Sequence, residues 1–109
     1  MIERIDDNMG RLNAALEKEG LADNTVVVFL SDHGELGGSH GMLGKAEPWE
    51  ESVGIPLIVS GPDALVARQG QTAAVPLNTE DLFPTLLGLA GGEAGDGLPG
   101  MDISPFSIP

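Results

Sequence analysis

Between positions 32 and 45 the sequence gathers the side chains best suited to chemistry: Asp32, His33, Glu35, His40 and Lys45. Asp32 and His33 are adjacent. On an extended strand their side chains point apart, but where the backbone turns just past a strand end both can reach one cation. A carboxylate with an imidazole suits a divalent metal, and oxygen-rich surroundings favour calcium, magnesium or manganese over zinc. Two ligands are not a whole site, and the competing reading is an Asp-Gly type turn beside an exposed histidine. Lys45 offers three donors and a fixed charge, while His40 can supply a proton near neutral pH, so a mobile loop could bring both over one anion. Taken singly, each reads as a surface residue. Glu35 reads as a solvated or supporting carboxylate rather than a ligand. Glu50 and Glu51 read as a solvated turn beside Trp49, whose indole is expected in the core.

These residues need elements to hold them. Thr25 to Leu30 is β-branched and aromatic without alternation, the pattern of a strand covered on both faces. Asp32 and His33 then lie past its carboxyl end, the edge where open α/β sheets bind ligands. Gly34, Gly37, Gly38, Gly41 and Gly44 make a helix untenable over the following stretch, which is read as a loop. Pro48 to Val53 suits a short helical turn, and Ile55 to Val59 a second strand with proline near its start.

Before the loop, Ile2, Ile5, Met9, Leu12 and Leu16 recur at spacings of three and four, predicting an amphipathic helix over 2–19 that packs on the sheet, with Gly20 ending it. After it, positions 72–77 suit an edge strand or extended segment. Asn78 or Thr79 can cap a helix running to Ala90, with Pro84 tolerable in its first turn. The glycine- and proline-rich tail offers Leu98, Met101, Ile103, Phe106 and Ile108 to dock on the body.

At 109 residues the chain fits one domain, and 41% hydrophobic residues are too many for disorder despite 16 glycines and 8 prolines. With 17 acidic and 5 basic residues the formal net charge is −12, which makes nucleic acid and anionic membranes poor partners. An anionic substrate would be repelled too, unless a bound cation and local positive groups reversed the field. No cysteine is present, so disulfides, thiolate metal sites and a cysteine nucleophile within these residues are excluded. No run approaches the roughly 18 apolar residues of a membrane span, and the first twenty residues are too charged for a signal peptide. The compartment stays open.

Asp32-His33-Gly34-Glu35, then Ser39-His40-Gly41 and Lys45, then Trp49-Glu50-Glu51-Ser52 and Ile55-Pro56-Leu57-Ile58-Val59, resemble in order and spacing the C-terminal half of the catalytic domain of type I sulfatases, in the alkaline phosphatase superfamily. The likeness extends to the first helix, to Asp81-Leu82-Phe83-Pro84-Thr85-Leu86-Leu87, and to the segment from Gly97 to Pro105. It implies that Asp32 and His33 are metal ligands, that Lys45 contacts the sulfate and the leaving oxygen, and that His40 lines the substrate pocket. Sulfatases use a formylglycine made from cysteine or serine in a Cys/Ser-x-Pro/Ala-x-Arg segment. No such segment occurs here, and Asp6-Asp7 does not match the paired aspartates that complete the family's metal site.

The expectation is therefore an α/β chain, a partial, mostly parallel sheet flanked by helices, forming one partial domain over 1–109 that resembles the C-terminal portion of a sulfatase. The resemblance implies one divalent cation, calcium first and manganese or magnesium as alternatives, and a sulfate ester substrate for the complete protein. The isolated chain is expected to be inactive and to self-associate. Two other readings stay open: a phosphonate or phosphate monoester hydrolase fragment of the same superfamily, and a noncatalytic domain that binds metal weakly or pairs with another chain.

Overall fold

The computed structural model describes residues 1–64, 66 and 70–104. In chain order it contains helix α1 (Ile2–Lys18), a 3-10 turn (Ala22–Asn24), strand β1 (Val27–Leu30), a second 3-10 turn (Ser39–Gly41), helix α2 (Glu50–Val53), strand β2 (Leu57–Ser60), a third 3-10 turn (Thr79–Asp81) and helix α3 (Leu82–Leu89). Helices and a hydrogen-bonded pair of strands, β1 with β2, make this an α/β chain as expected. None of the described helices is long and apolar enough to cross a membrane. The chain divides into two compact units, one of residues 27–59 and the other of residues 1–26 with 60–109.

The first unit contains β1, β2 up to Val59 and the long connection between them. The strands begin later than the hydrophobic runs suggest, β1 at Val27 and β2 at Leu57. For β2 the reason is Pro56, which has no N–H to give a ladder and so displaces the start of pairing beyond itself. Positive backbone φ angles at Gly37 (57°), Gly38 (105°), Gly41 (70°) and Gly44 (90°) let the connection reverse repeatedly within a few residues. Leu36 is its buried apolar anchor, 3% exposed.

In the second unit, α1 ends as the sequence indicates: the N–H of Glu19 and of Gly20 bond back to Ala15 and Glu17, and Gly20 adopts φ 67°. Its apolar stripe forms, yet no residue of the helix is buried; Ile2, Ile5 and Leu12 are all exposed. The shorter α3 buries Pro84, Thr85 and Leu89. It starts from a capping box in which Asn78 and Asp81 satisfy each other's backbone N–H groups, with Pro84 in its first turn where a missing N–H does no harm.

The segment after α3 is fastened to it by polar contacts rather than by the apolar residues that sequence pattern favours. Met101 N–H donates to Asp81 Oδ1 at 2.7 Å, and Ile103 N–H donates to Thr85 Oγ1 at 3.2 Å. Leu98 and Met101 remain exposed, while Phe106 and Ile108 lie outside the described residues. Gly88 is required here because a Cβ would meet the Asp102 carboxylate at 2.6 Å and the Ser104 hydroxyl closer still. Residues 72–77 form no strand.

Candidate functional site

Asp32 and His33 follow directly on β1, where the ladder has ended and the backbone is free to turn. Ser31 starts that turn by donating its hydroxyl to the His33 carbonyl at 2.7 Å, and Asp32 Oδ1 accepts the His33 N–H at 3.0 Å. Gly34 comes next because nothing larger fits: a Cβ there would run into the Glu51 carbonyl oxygen, and its N–H donates to the Ser52 carbonyl at 2.8 Å. The start of the loop is thus laid against the backbone of α2.

The His33 ring is held at both nitrogens. Nδ1 lies 2.7 Å from the Gly34 carbonyl oxygen, and since a carbonyl can only accept, Nδ1 carries the proton. Nε2 keeps its lone pair and faces two groups, the Lys45 ammonium, which donates to it, and Asp32 Oδ2 at 3.2 Å. Two lone-pair atoms this close repel unless positive charge stands beside them, and here Lys45 provides it. Desolvation pushes the Asp32 carboxyl up, but the positive charge that His33 can carry, the nearby backbone N–H groups and Lys45 outweigh it and hold the group below its ordinary value. Asp32 and His33, read in the sequence as a pair, therefore meet at one atom with Lys45, which the sequence reading sets beside His40.

Oδ2 of Asp32 and Nε2 of His33 stand 3.2 Å apart, with the far ring nitrogen anchored on a carbonyl in the manner common for metal-ligating histidines, and a cation bound there would take the Nε2 lone pair in place of the Lys45 ammonium. The two residues fit a divalent cation as two donors of a larger set. Among the described residues no group of three or more His, Cys, Asp or Glu side chains could hold a metal ion.

His40 stands apart from that trio. No hydrogen bond or ion pair joins it to Asp32, His33 or Lys45 among the described residues. Its ring stacks on Trp49, centroids 4.0 Å apart and planes at 16°, and its Nε2 lies 3.6 Å from Glu51 Oε2. Its backbone is left-handed at φ 56°, the one positive φ outside glycine among the described residues, a conformation that costs of order 1 kcal/mol and persists only where neighbours enforce it. Trp49 and Glu51 are those neighbours. The indole is accordingly 44% exposed rather than in the core, and Glu51 is partnered rather than solvated. The Glu51 carboxyl is held below its ordinary value by its own backbone N–H and the Ser39 side chain, with His40 adding to them against desolvation.

Glu35 turns out to brace the loop: its Oε1 accepts the Gly44 N–H at 2.7 Å and the Gly37 N–H at 3.5 Å. Ser52, 3% exposed, donates its hydroxyl to the Lys45 carbonyl at 2.5 Å. Sequence reading names Ser52 only within the Trp49-Glu50-Glu51-Ser52 resemblance and gives it no role. Its one signal is a small polar residue inside an otherwise acidic and apolar helical turn.

A family model described as Sulfatase matches residues 1–92. The ulvan-active sulfatase of Formosa agariphila is 38% identical over 101 residues, covering 91% of this chain and 20% of that protein. The N-acetylglucosamine-6-O-sulfatase of Bacteroides thetaiotaomicron is 39% identical over 101 residues, covering 93% and 18%. Among solved structures, the phosphonate monoester hydrolase of Agrobacterium radiobacter matches with a TM-score of 0.86 at 34% identity, covering 98% of this chain and 21% of that one. The chain thus spans about a fifth of the length of the relatives it matches.

Proposed function

Because the chain belongs to the sulfatase family, we propose that it supplies the metal- and anion-binding side of the active site of a sulfate ester hydrolase. The observation that supports this reading best is the meeting of Asp32 and the Lys45 ammonium at Nε2 of His33. Asp32 and His33 would hold a divalent cation, calcium ahead of manganese or magnesium because a carboxylate in oxygen-rich surroundings suits hard ions. When bound, such a cation polarises a sulfate oxygen and offsets its charge.

Lys45 has the complementary task. Its ammonium donates to the sulfate and to the oxygen that leaves with the alcohol, charge stabilisation of the kind that often dominates catalysis. His40 lines the substrate pocket and can give the leaving oxygen a proton. The nucleophile and the remaining metal ligands belong to parts of a sulfatase domain outside these 109 residues, since no Cys/Ser-x-Pro/Ala-x-Arg segment occurs among them. By itself the chain should hold calcium or manganese weakly and turn over no sulfate ester. Calorimetry that found one tight site, abolished by Asp32→Ala, would contradict the incomplete ligand set.

The phosphonate monoester hydrolase neighbour keeps a second reading in play, hydrolysis of phosphonate or phosphate monoesters, for which an Asp-His pair is equally suited. A complete sulfatase domain carrying this stretch, assayed with an aryl sulfate and a phenyl phosphonate monoester, separates the two. On the preferred substrate Lys45→Ala should lower turnover by about a hundredfold or more, as removal of one charge-stabilising donor does elsewhere. Turnover unchanged in Lys45→Ala would overturn the proposed role.

Exposed Ile2, Ile5, Leu12, Leu43, Ile58 and Phe83 also favour self-association of the isolated chain. Light scattering giving a monomer mass at high concentration would refute that.

A further inference from the structure

We propose that Glu35 and Ser52 are positioning residues for Lys45, an inference that rests on the anion-binding role assigned to Lys45 above. The backbone leading to Lys45 is poorly determined by its own sequence. Gly37, Gly38, Gly41 and Gly44 all hold positive φ angles, and each residue of this type has more conformational freedom to lose than any other. The Leu36 N–H donates to the Gly44 carbonyl at 2.9 Å, and beyond that one main-chain bond the end of the loop is fixed by a pair of side chains that bracket Lys45. On its N-terminal side the Glu35 carboxylate accepts the Gly44 N–H at 2.7 Å, and on its C-terminal side the Ser52 hydroxyl donates to Lys45's own carbonyl at 2.5 Å.

Ser52 does more than hold one end. Its carbonyl accepts the Gly34 N–H at 2.8 Å, and its N–H donates to the Trp49 carbonyl at 2.8 Å. A single buried residue therefore ties Lys45 to the peptide that follows His33, setting how far the ammonium stands from the imidazole it meets. Neither Glu35 nor Ser52 makes a hydrogen bond or ion pair with the ammonium among the described residues, so each acts through the backbone. Misplacement of a reacting group by about 1 Å can lower a rate about a hundredfold, and the ammonium, at the tip of a long flexible side chain, has no rigidity of its own to correct an error at Cα.

The test is a double-mutant cycle in a complete sulfatase domain carrying this stretch. Glu35→Ala and Ser52→Ala should each lower kcat by about tenfold to a hundredfold with a much smaller change in KM. Glu35→Gln and Ser52→Thr, which keep the acceptor and the donor, should recover most of that loss. In a Lys45→Ala background neither alanine change should lower turnover further; losses that add in full would overturn the proposal. Hydrogen exchange supplies a readout independent of activity. Glu35→Ala should speed exchange at the Gly44 amide while Glu35→Gln leaves it slow, and an unchanged rate in Glu35→Ala would equally overturn the proposal. If instead Lys45→Ala matches the unsubstituted enzyme, the role of Lys45 fails, while the exchange result still decides whether the clamp exists.

Discussion

Two carboxylates far apart in the sequence do the same backbone work in different company. Glu35 accepts the N–H groups of Gly44 and Gly37; Asp81 accepts those of Asn78 and Met101. Around Asp81 the polar groups answer one another: the capping box is reciprocal, Thr85 receives the Ile103 N–H, and Ser104 N–H is met by Asp102. Around Glu35 the supporting bonds are just as local, but the side chains they steady, Lys45, His33 and Asp32, are turned toward one another with their charges partly exposed. The α3 clasp resolves its polar groups internally and leaves little for a ligand. The loop uses inert side chains to hold reactive ones in an arrangement that a cation and an anion could complete.

The sharpest way to break this comparison is to crowd the glycine in each region. Gly34→Ala places a methyl group against the Glu51 carbonyl, a backbone atom that cannot rotate away. It should cost about 3 kcal/mol, the upper end of overpacking effects. Gly88→Ala meets only the side-chain tips of Asp102 and Ser104 and should cost about 1–2 kcal/mol. Denaturant midpoints would show the order, and equal losses would mean that the loop is not more rigidly built than the clasp.

A smaller effect is expected from Thr85→Val, which keeps the shape but removes the hydroxyl that accepts the Ile103 N–H from a site 5% exposed. A loss of about 1–2 kcal/mol is expected, since the amide is left unpaired. A variant as stable as the parent chain would show that the clasp does not depend on this bond.

The smallest effect is one of pH. Asp81 is held below its ordinary value by the N–H groups of Asn78 and Met101, which outweigh desolvation. A carboxyl lowered on folding stabilises the fold above its unfolded value, about 3.9, and that contribution is lost as pH falls through the folded value. Protection of the Met101 amide, judged by its exchange rate against the intrinsic rate at the same pH, should therefore fall in acid in the parent chain, and Asp81→Asn should remove that acid dependence. A dependence that survives in Asp81→Asn would assign it to another group.

How much of this was legible beforehand follows from the range of each interaction. The first helix and its glycine stop are written in neighbours three and four apart, and so was a cap at Asn78 or Thr79, though not the reciprocal bond from Asp81 that completes it. Asp32, His33 and Lys45 stood out by type, although their meeting at one nitrogen depends on how the intervening glycines turn. Glu35, Ser52 and the His40–Trp49–Glu51 group could not be read in the same way. The bond from Glu35 to Gly44 spans nine positions and that from Ser52 to Lys45 spans seven. Such distances have no fixed geometry until positive φ angles at several glycines set the path. Trp49 misled for a related reason: a lone indole is usually core, and only the left-handed backbone of His40 brings an imidazole up to stack on it instead.

That stacking has an optical consequence. Trp49 is the only tryptophan and there is no tyrosine, so near-ultraviolet emission from this chain arises from one chromophore, pressed face to face against the imidazole of the lysine-bearing loop. Fluorescence will report the loop and be nearly blind to the α3 clasp, while far-ultraviolet circular dichroism will be dominated by the helices of the other unit. In a denaturant titration the two signals need not move together, and any gap between their midpoints measures how independently the loop comes apart.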